Sequence, residues 1–274
     1  MAHERITSAQ NPLVKRLQLL LERKGREESG SYLIEGAHLV EEALNSGAAV
    51  TTILYDSERE LNAACRQALT NISPDVHVVA ASEAVLAKLS ETKSPQGIVA
   101  VVKKNQHNWE EWTEQLLQAK QDVLLLFLDE LQDPGNLGTI LRTAEAAGVD
   151  GVVLGRGSVD LYNGKVVRAT MGAIFRLPVF TQDLTVAADQ WRQKGGRMLC
   201  STLRENSRSY DSVDYSGKVA IVIGNEGRGV SDEMITQADE LVHIPIYGQA
   251  ESLNAAVAAG LLVYEARRKK DRSH

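Results

Sequence analysis

The sequence holds only two cysteines, Cys65 and Cys200, in 274 residues. They stand far apart with no CxxC pair, so neither a disulfide framework nor a thiolate metal site is indicated, and both read as structural filler. The six histidines are scattered without metal-ligand spacing, and no metal is expected. No apolar run reaches the length of roughly 18 residues that a membrane-spanning helix needs. The opening stretch MAHERITSAQ lacks the apolar core of a secretory signal, so a cytoplasmic home is the expectation. No internal repeat or low-complexity segment occurs.

What is present is an ordinary globular composition, 43% hydrophobic and 24% charged, at a length suited to one large domain or two modest ones. The net charge of −6 is unevenly spread. Residues 1–26 carry Arg5, Lys15, Arg16, Arg23, Lys24 and Arg26 against Glu4 and Glu22. Residues 265–274 carry Arg267, Arg268, Lys269, Lys270 and Arg272 against Glu265 and Asp271. The two ends are therefore net +4 and +3, and the 238 residues between them −13. Basic ends on an acidic body suit a polyanion held locally, because binding follows local rather than summed charge. Solvated surface and a frayed tail account for either end alone equally well.

Helical and strand periodicities alternate along the chain. QNPLVKRLQLLLERKGREES reads as a helix, AHLVEEALNSG as another ending at Gly47, and SYLIEG, VTTILYD, VHVVAAS and GIVAVVKK as strands. The polar stretch from Lys103 to Gln115 breaks this rhythm. It divides a first domain at 1–105 from a second at 121–274, with a linker at 106–120. The second part opens on DVLLLFLDEL, a run typical of a strand buried on both faces. Then come the helix NLGTILRTAEAAG, the strand GVVLG, a helix running into a strand near Pro178, and a helix around Val186–Lys194. The strands RMLCSTL, KVAIVIG and LVHIPI and the helix SLNAAVAAGLLVYEARRKK complete the series. Strands alternating with helices predict an α/β fold with a parallel sheet covered on both faces.

Three clusters follow directly on predicted strands, the position at which parallel α/β sheets bind ligands. In DELQDPGNLGTILRTAEAAG, the local pattern favours Asn136 as a helix cap and Arg142, six residues on, as a surface ion-pair partner, with function the second reading of both. In IVIGNEGRGVSDE, Gly224, Gly227 and Gly229 let backbone N–H groups approach a ligand. The GxxGxG spacing is neither a Walker loop nor a dinucleotide fingerprint, and Glu226 would repel a bare pyrophosphate. A neutral or cationic ligand, or a Glu226 turned away, fits this loop better, and a bland glycine turn accounts for it about equally well. In HIPIYGQAESLNAAVAAG, Ser252 and Asn254 are candidate caps of the last helix. Ala255, Ala258, Ala259 and Gly260 on that helix would let another helix come close.

Taken together, NLGTILRTAEAAG, IVIGNEGRGVS and IPIYGQAESLNAAVAAG resemble, in this order, the three signature motifs of the SpoU (TrmH-type) RNA ribose 2′-O-methyltransferases of the SPOUT superfamily, over residues 122–268. ITSAQNPLVKRLQLLLERKGREESGSYLIEGAHLVEEAL resembles the L30e-like, ribosomal-protein-like domain that binds substrate RNA in many of these enzymes. Ile246, Ala255 and Ala256 stand where Met, Val and Ser are more usual, and none of these departures removes a reactive group. The resemblance implies a SPOUT domain, a parallel sheet with a deep C-terminal trefoil knot, preceded by a smaller α/β RNA-binding domain. It implies S-adenosylmethionine held by main-chain groups of Gly224, Ile244 and Leu253, with Thr202 a further candidate. It implies Arg142 as the activating residue, surrounded by Asn136, Glu226, Ser252 and Asn254. Since a guanidinium stays charged below a pH of about 12, Arg142 would act as a cation that stabilises developing alkoxide and grips the adjacent phosphate. The expected partners are structured RNA, 23S ribosomal RNA ahead of transfer RNA, and a second copy of the chain. Arg5, Lys15, Arg16, Arg23 and Lys24 are the candidate RNA contacts. A non-catalytic RNA-binding assembly factor of the same fold, or an α/β enzyme with a nucleotide cofactor, are the alternatives.

Overall fold

β-Branched residues concentrate where strands are expected, and they build two sheets, one in each of two units of the chain. The computed structural model describes residues 5–70, 72–92, 94–105 and 107–271. The first unit takes in the described residues up to 105 together with Asp160–Phe175; the second takes in His107–Val159 and the chain from Arg176 onward.

In chain order the first unit contains β1 (Arg5–Ile6), α1 (Pro12–Gln18), α2 (Arg23–Ser29), β2 (Ser31–Glu35), α3 (Ala37–Asn45), β3 (Val50–Asp56), α4 (Ala63–Thr70), β4 (His77–Ala81), α5 (Glu83–Ala87) and β5 (Ile98–Lys103). The sheet order is β1-β4-β3-β5-β2, parallel around β4 and antiparallel around β5. The first predicted helix is in fact broken in two. Asn11 caps α1 through its side chain, and Glu22 then turns extended at φ −98 and ψ 145. The chain folds back so tightly that a Cβ on Gly25 would lie 2.0 Å from the carbonyl oxygen of Leu19. Only glycine permits this approach.

The reversal carries Arg26 inward, where it is 4% exposed. Its guanidinium meets Asp160 at 2.6 and 3.0 Å and the carbonyls of Leu20 and Leu21 at 2.9 and 2.8 Å. Asp160 opens a segment that leaves the second unit at residue 159 and rejoins it at 176. In the first unit Tyr162 lies against Tyr32 with ring centroids 4.6 Å apart, and Val167 joins Ile34, Val40 and Ile53 in the core. Sequence periodicity carries no sign of this excursion.

The second unit opens with α6 (Trp109–Ala119), which occupies the stretch expected as a linker. Asn108 caps it, and Trp109 packs edge-on against Phe180 with centroids 5.3 Å apart. There follow β6 (Val123–Leu128), α7 (Pro134–Ala146), β7 (Gly151–Gly155), α8 (Gly164–Ala169, in the excursion), β8 (Val179–Gln182), α9 (Leu184–Gln193), β9 (Arg197–Ser201), β10 (Arg208–Ser209), β11 (Lys218–Ile223), α10 (Asp232–Thr236), β12 (Glu240–His243) and α11 (Ala255–Asp271). The sheet runs β10-β12-β9-β11-β6-β7-β8 and every pairing is parallel. All six residues of β6 are buried, as a strand covered on both faces requires. Because β12, β9, β11 and β6 are neighbours, the loops after their carboxyl ends gather along one edge.

The C-terminal basic cluster is used inside the unit rather than left as a tail. Lys270, 4% exposed, donates to Asp122 at 2.9 Å and to the carbonyl of Gly217 at 2.6 Å. Lys269 donates to the carbonyls of Asp211 and Val213, Arg267 to those of Ala147 and Gly148, and Arg268 pairs with Glu265. Arg272 lies outside the described residues. Among the described residues no helix is long and apolar enough to cross a membrane.

Arg26→Met would keep the apolar stem but leave Asp160 without its counter-ion and two carbonyls without a donor. It is expected to cost about 3 kcal/mol in urea denaturation. Arg26→Lys should recover less than half, because an ammonium lacks the planar fork. A loss under about 1 kcal/mol for the Met variant would show that the pair is dispensable.

Candidate functional site

The loop after β6 begins with Asp129, a buried carboxylate that accepts a 2.8 Å hydrogen bond from the Ser231 N–H. Glu130 follows at φ 51, in the left-handed region rarely adopted by non-glycine residues. Asp133, rather than Asn136, caps α7: its Oδ1 accepts from the Asn136 N–H at 2.8 Å, and Pro134 occupies the first turn. The Asn136 side chain is thereby free for another task. Its Nδ2 donates to Glu226 Oε1 at 3.0 Å, and its Oδ1 accepts from Asn254 Nδ2 at 2.9 Å. Asn254 also caps α11, its Oδ1 accepting from the N–H groups of Ala256 and Val257 at 2.9 and 3.3 Å. One residue from each of the three sequence clusters thus meets in a single hydrogen-bonded chain.

Glu226 completes its shell with the N–H groups of Gln132 at 3.1 Å and Asp133 at 3.0 Å. Partial burial works to raise its pKa, but the Asn136 amide and these N–H groups outweigh burial and hold the carboxyl below its ordinary value.

Beside this network lies a cleft of about 270 Å³, just below the usual range for small-molecule sites. Thr202, Gly224, Ile244 and Leu253 all line it, and so do Glu226, Ser252, Leu203 and Ile246. The glycine loop folds back on itself here, with Asn225 and Gly229 exchanging backbone hydrogen bonds of 2.9 Å. A Cβ on Gly224 would come within 2.1 Å of the Gly229 backbone, so the turn tolerates no side chain there. The peptide groups of Ile244, Ile246 and Leu253 carry no hydrogen bond among the described residues. A ligand with polar edges could therefore be read by main chain between apolar walls.

Arg142 is not drawn into this arrangement. It is exposed and without an ion-pair or hydrogen-bond partner among the described residues, about 9 Å along α7 from Asn136 and 120° around it. Ser252 is likewise exposed and unpartnered at the cleft. Of the basic residues near the N-terminus, Arg5 pairs with Glu58, Arg23 with Glu27 and Lys24 with Glu28, whereas Lys15 and Arg16 carry no ion pair among the described residues. Among the described residues no three His, Cys, Asp or Glu side chains gather as a metal site. Sequence reasoning passed over Asn225, Glu130 and Gln132, which shape the loops. The available signal was an Asn, a turn-former, set between Gly224 and Glu226.

Because the folded pKa of Glu226 is depressed, its network contributes stability above the ordinary Glu pKa of about 4.3 and loses it as pH falls through the folded value. The stability difference between the unsubstituted protein and Glu226→Gln is therefore expected to be constant from neutral pH down to about 5 and to shrink in stronger acid. A difference that grows on acidification, in denaturation followed across that range, would contradict the assigned network.

Comparison with known proteins supplies a family for this geometry. Residues 123–264 match the SpoU rRNA Methylase family, and residues 11–100 match the MRM3-like substrate binding domain. The chain is 38% identical over 264 residues to the 23S rRNA (guanosine(2553)-2'-O)-methyltransferase RlmP of Bacillus subtilis (strain 168), covering 96% of this chain and 99% of that protein. It is 31% identical to the 23S rRNA (uridine(2479)-2'-O)-methyltransferase of Streptomyces viridochromogenes, covering 98% and 93%. Among solved structures, the AdoMet-bound rRNA methyltransferase from Sinorhizobium meliloti superposes with a TM-score of 0.86 at 31% identity over 97% of both chains. The SpoU methyltransferase AviRb from Streptomyces viridochromogenes, in complex with AdoMet, gives 0.83 at 30% identity over 95% and 98%. With this match over residues 123–264 and relatives alike over nearly their whole length, the chain belongs to the SpoU rRNA methylase family.

Proposed function

We propose that this protein methylates a ribose 2′-hydroxyl of 23S ribosomal RNA with S-adenosylmethionine, as a cytoplasmic homodimer. One observation carries the reading. Glu226 belongs both to the wall of the cleft and to the network joining Asn136 and Asn254, which supports reading the cofactor pocket and these two asparagines as one site. The two relatives named above methylate 23S rRNA at different nucleotides, and the target nucleotide is not carried over.

S-adenosylmethionine, when bound, supplies an electrophilic methyl group. Gly224, Ile244 and Leu253 would hold it through main-chain groups, with Thr202 beside them, and the Glu226 carboxylate suits a sulfonium cation. This reading includes a deep trefoil knot in the chain after β9. Asn254 and Asn136 are oriented by the bonds that they make to each other, to α11 and to Glu226. These residues therefore position rather than transfer protons. Arg142 and Ser252 are the polar groups left over, and they are free to meet ribose and phosphate. The guanidinium supplies positive charge where the 2′-oxygen becomes negative and fixes the neighbouring phosphate, through which the hydroxyl proton would pass to solvent as the methyl group is transferred.

Arg142 lies outside its own chain's cleft, which points to a second copy completing the site. The small-residue side of α11 is taken up inside the chain: Ala255 and Ala259 are buried, and Gly260 faces Thr143 of α7. Val257, Leu261 and Tyr264 instead form an exposed apolar stripe one and two turns apart. In the first unit Lys15 and Arg16 would meet phosphates directly. Arg5, Arg23 and Lys24 would exchange their exposed pairs, worth no more than about 1 kcal/mol each, for phosphate.

Labelled S-adenosylmethionine offered to total ribosomal and transfer RNA from a deletion strain is expected to mark one 23S fragment. Arg142→Ala should lower transfer roughly 100-fold or more with cofactor affinity unchanged. Label confined to transfer RNA would move the substrate, and failure to bind the cofactor would end the assignment. Leu261→Asp should sediment as a monomer.

A further inference from the structure

We propose that Asn225 is a positioning residue for methyl transfer, clasping the glycine loop after β11 to the loop after β6. The inference rests on the reading of the cleft as the cofactor site. Asn225 lines that cleft between Gly224 and Glu226, and both ends of its side chain are engaged. Its Oδ1 accepts from the N–H groups of Gly227 at 2.9 Å and Arg228 at 3.1 Å, which shapes the turn. Its Nδ2 donates at 2.8 Å to the carbonyl of Glu130. Two N–H donors at one end and a carbonyl at the other fix which way the amide points.

Glu130 is the residue at φ 51. A non-glycine residue held there is strained and persists where its surroundings over-determine it. Three groups do so here. Asn225 and the Gln132 side chain, the latter at 3.2 Å, both donate to the Glu130 carbonyl, while Arg228 pairs with the Glu130 carboxylate. The same loop returns the connection, since the Gln132 and Asp133 N–H groups hold Glu226. Residue 225 thus fixes residue 130, and residues 132 and 133 fix residue 226. Were the Glu130 peptide to turn into the ordinary extended region, its carbonyl would leave Asn225 and the two N–H groups would leave Glu226. The Asn225 donor selects the backbone conformation that aims Glu226 at Asn136 and shapes the cleft floor.

Asn225→Asp separates the clasp from the turn. It keeps an acceptor for Gly227 and Arg228 but sets a carboxylate oxygen against the Glu130 carbonyl, close to the carboxylates of Glu130 and Glu226. Asn225→Ala removes both functions. In the full-length protein, S-adenosylmethionine affinity by calorimetry and steady-state methyl transfer to 23S rRNA should be measured beside the melting temperature. Asn225→Asp is expected to weaken the cofactor about tenfold and lower kcat at saturating cofactor by about tenfold or more. KM for RNA should stay within about twofold, with melting shifted by no more than a few degrees. Cofactor affinity and kcat left intact in Asn225→Asp would overturn the clasp, and so would losses seen only in Asn225→Ala, which would belong to the turn. A large fall in melting temperature with RNA KM rising in parallel would make Asn225 a structural residue and also overturn it. If the unsubstituted protein bound no S-adenosylmethionine, the reading of the cleft would fall first and the inference with it.

Discussion

The cation of the glycine loop, Arg228, is paired with Glu130, so the Glu226 carboxylate must find its donors outside its own loop, and the arrangement of this site follows from that demand. Glu226 draws its donors from the loop after β6 and the first turn of α7. This is possible because β6 and β11 are paired in parallel from Val123↔Lys218 to Leu128↔Ile223, so both loops start level with each other. The Asn136 amide then passes the constraint on to Asn254 and the beginning of α11. Moving the loop after β6 would cost hydrogen bonds to both of the others. A cleft walled by such loops is held in shape before a ligand arrives, which is how main-chain groups can read a small molecule without side-chain adaptation.

The sheet of the second unit was legible because a strand buried on both faces has only one kind of sequence, and VLLLFL is of that kind. The loops at its carboxyl edge were legible as a place where chemistry happens. Their internal wiring was not. Asn136 reads as a cap from local pattern, but Asp133 takes that role three residues earlier, and nothing local tells an Asn that caps from one that bridges two loops. Asn254 does both at once. The break in the first predicted helix turns on Gly25 approaching Leu19, a contact between backbones that leucine periodicity masks. The linker expectation failed for α6 because its apolar side is carried by Trp109 and Trp112 within a polar stretch, and two aromatic rings do the work of many aliphatic residues.

Charge was the least legible property. The two basic ends looked alike in composition, and apart from Arg26, which is buried on Asp160 and two carbonyls, they differ in use. Near the C-terminus, Lys and Arg side chains satisfy carbonyls and a partly buried carboxylate, tying down the last helix. Near the N-terminus, Arg23 and Lys24 pair with acids one helical turn away in exposed positions where such pairs contribute little. A lysine that anchors and a lysine left in solvent have the same letter, and only the carbonyls and carboxylates around them tell the two apart.

The excursion at Asp160–Phe175 has a consequence for biosynthesis. A nascent chain emerges from its N-terminus at roughly 5–20 residues per second. The first unit is composed almost wholly of early residues, yet Arg26 finds its counter-ion, and Tyr32 its aromatic neighbour, only once residues 160 and 162 have been made. For several seconds at that rate, the early sheet must exist with a charged guanidinium awaiting its partner and an apolar face lacking Val167. By then β6, α7 and β7 have already been translated. Completion of the N-terminal unit thus requires residues made after the start of its successor.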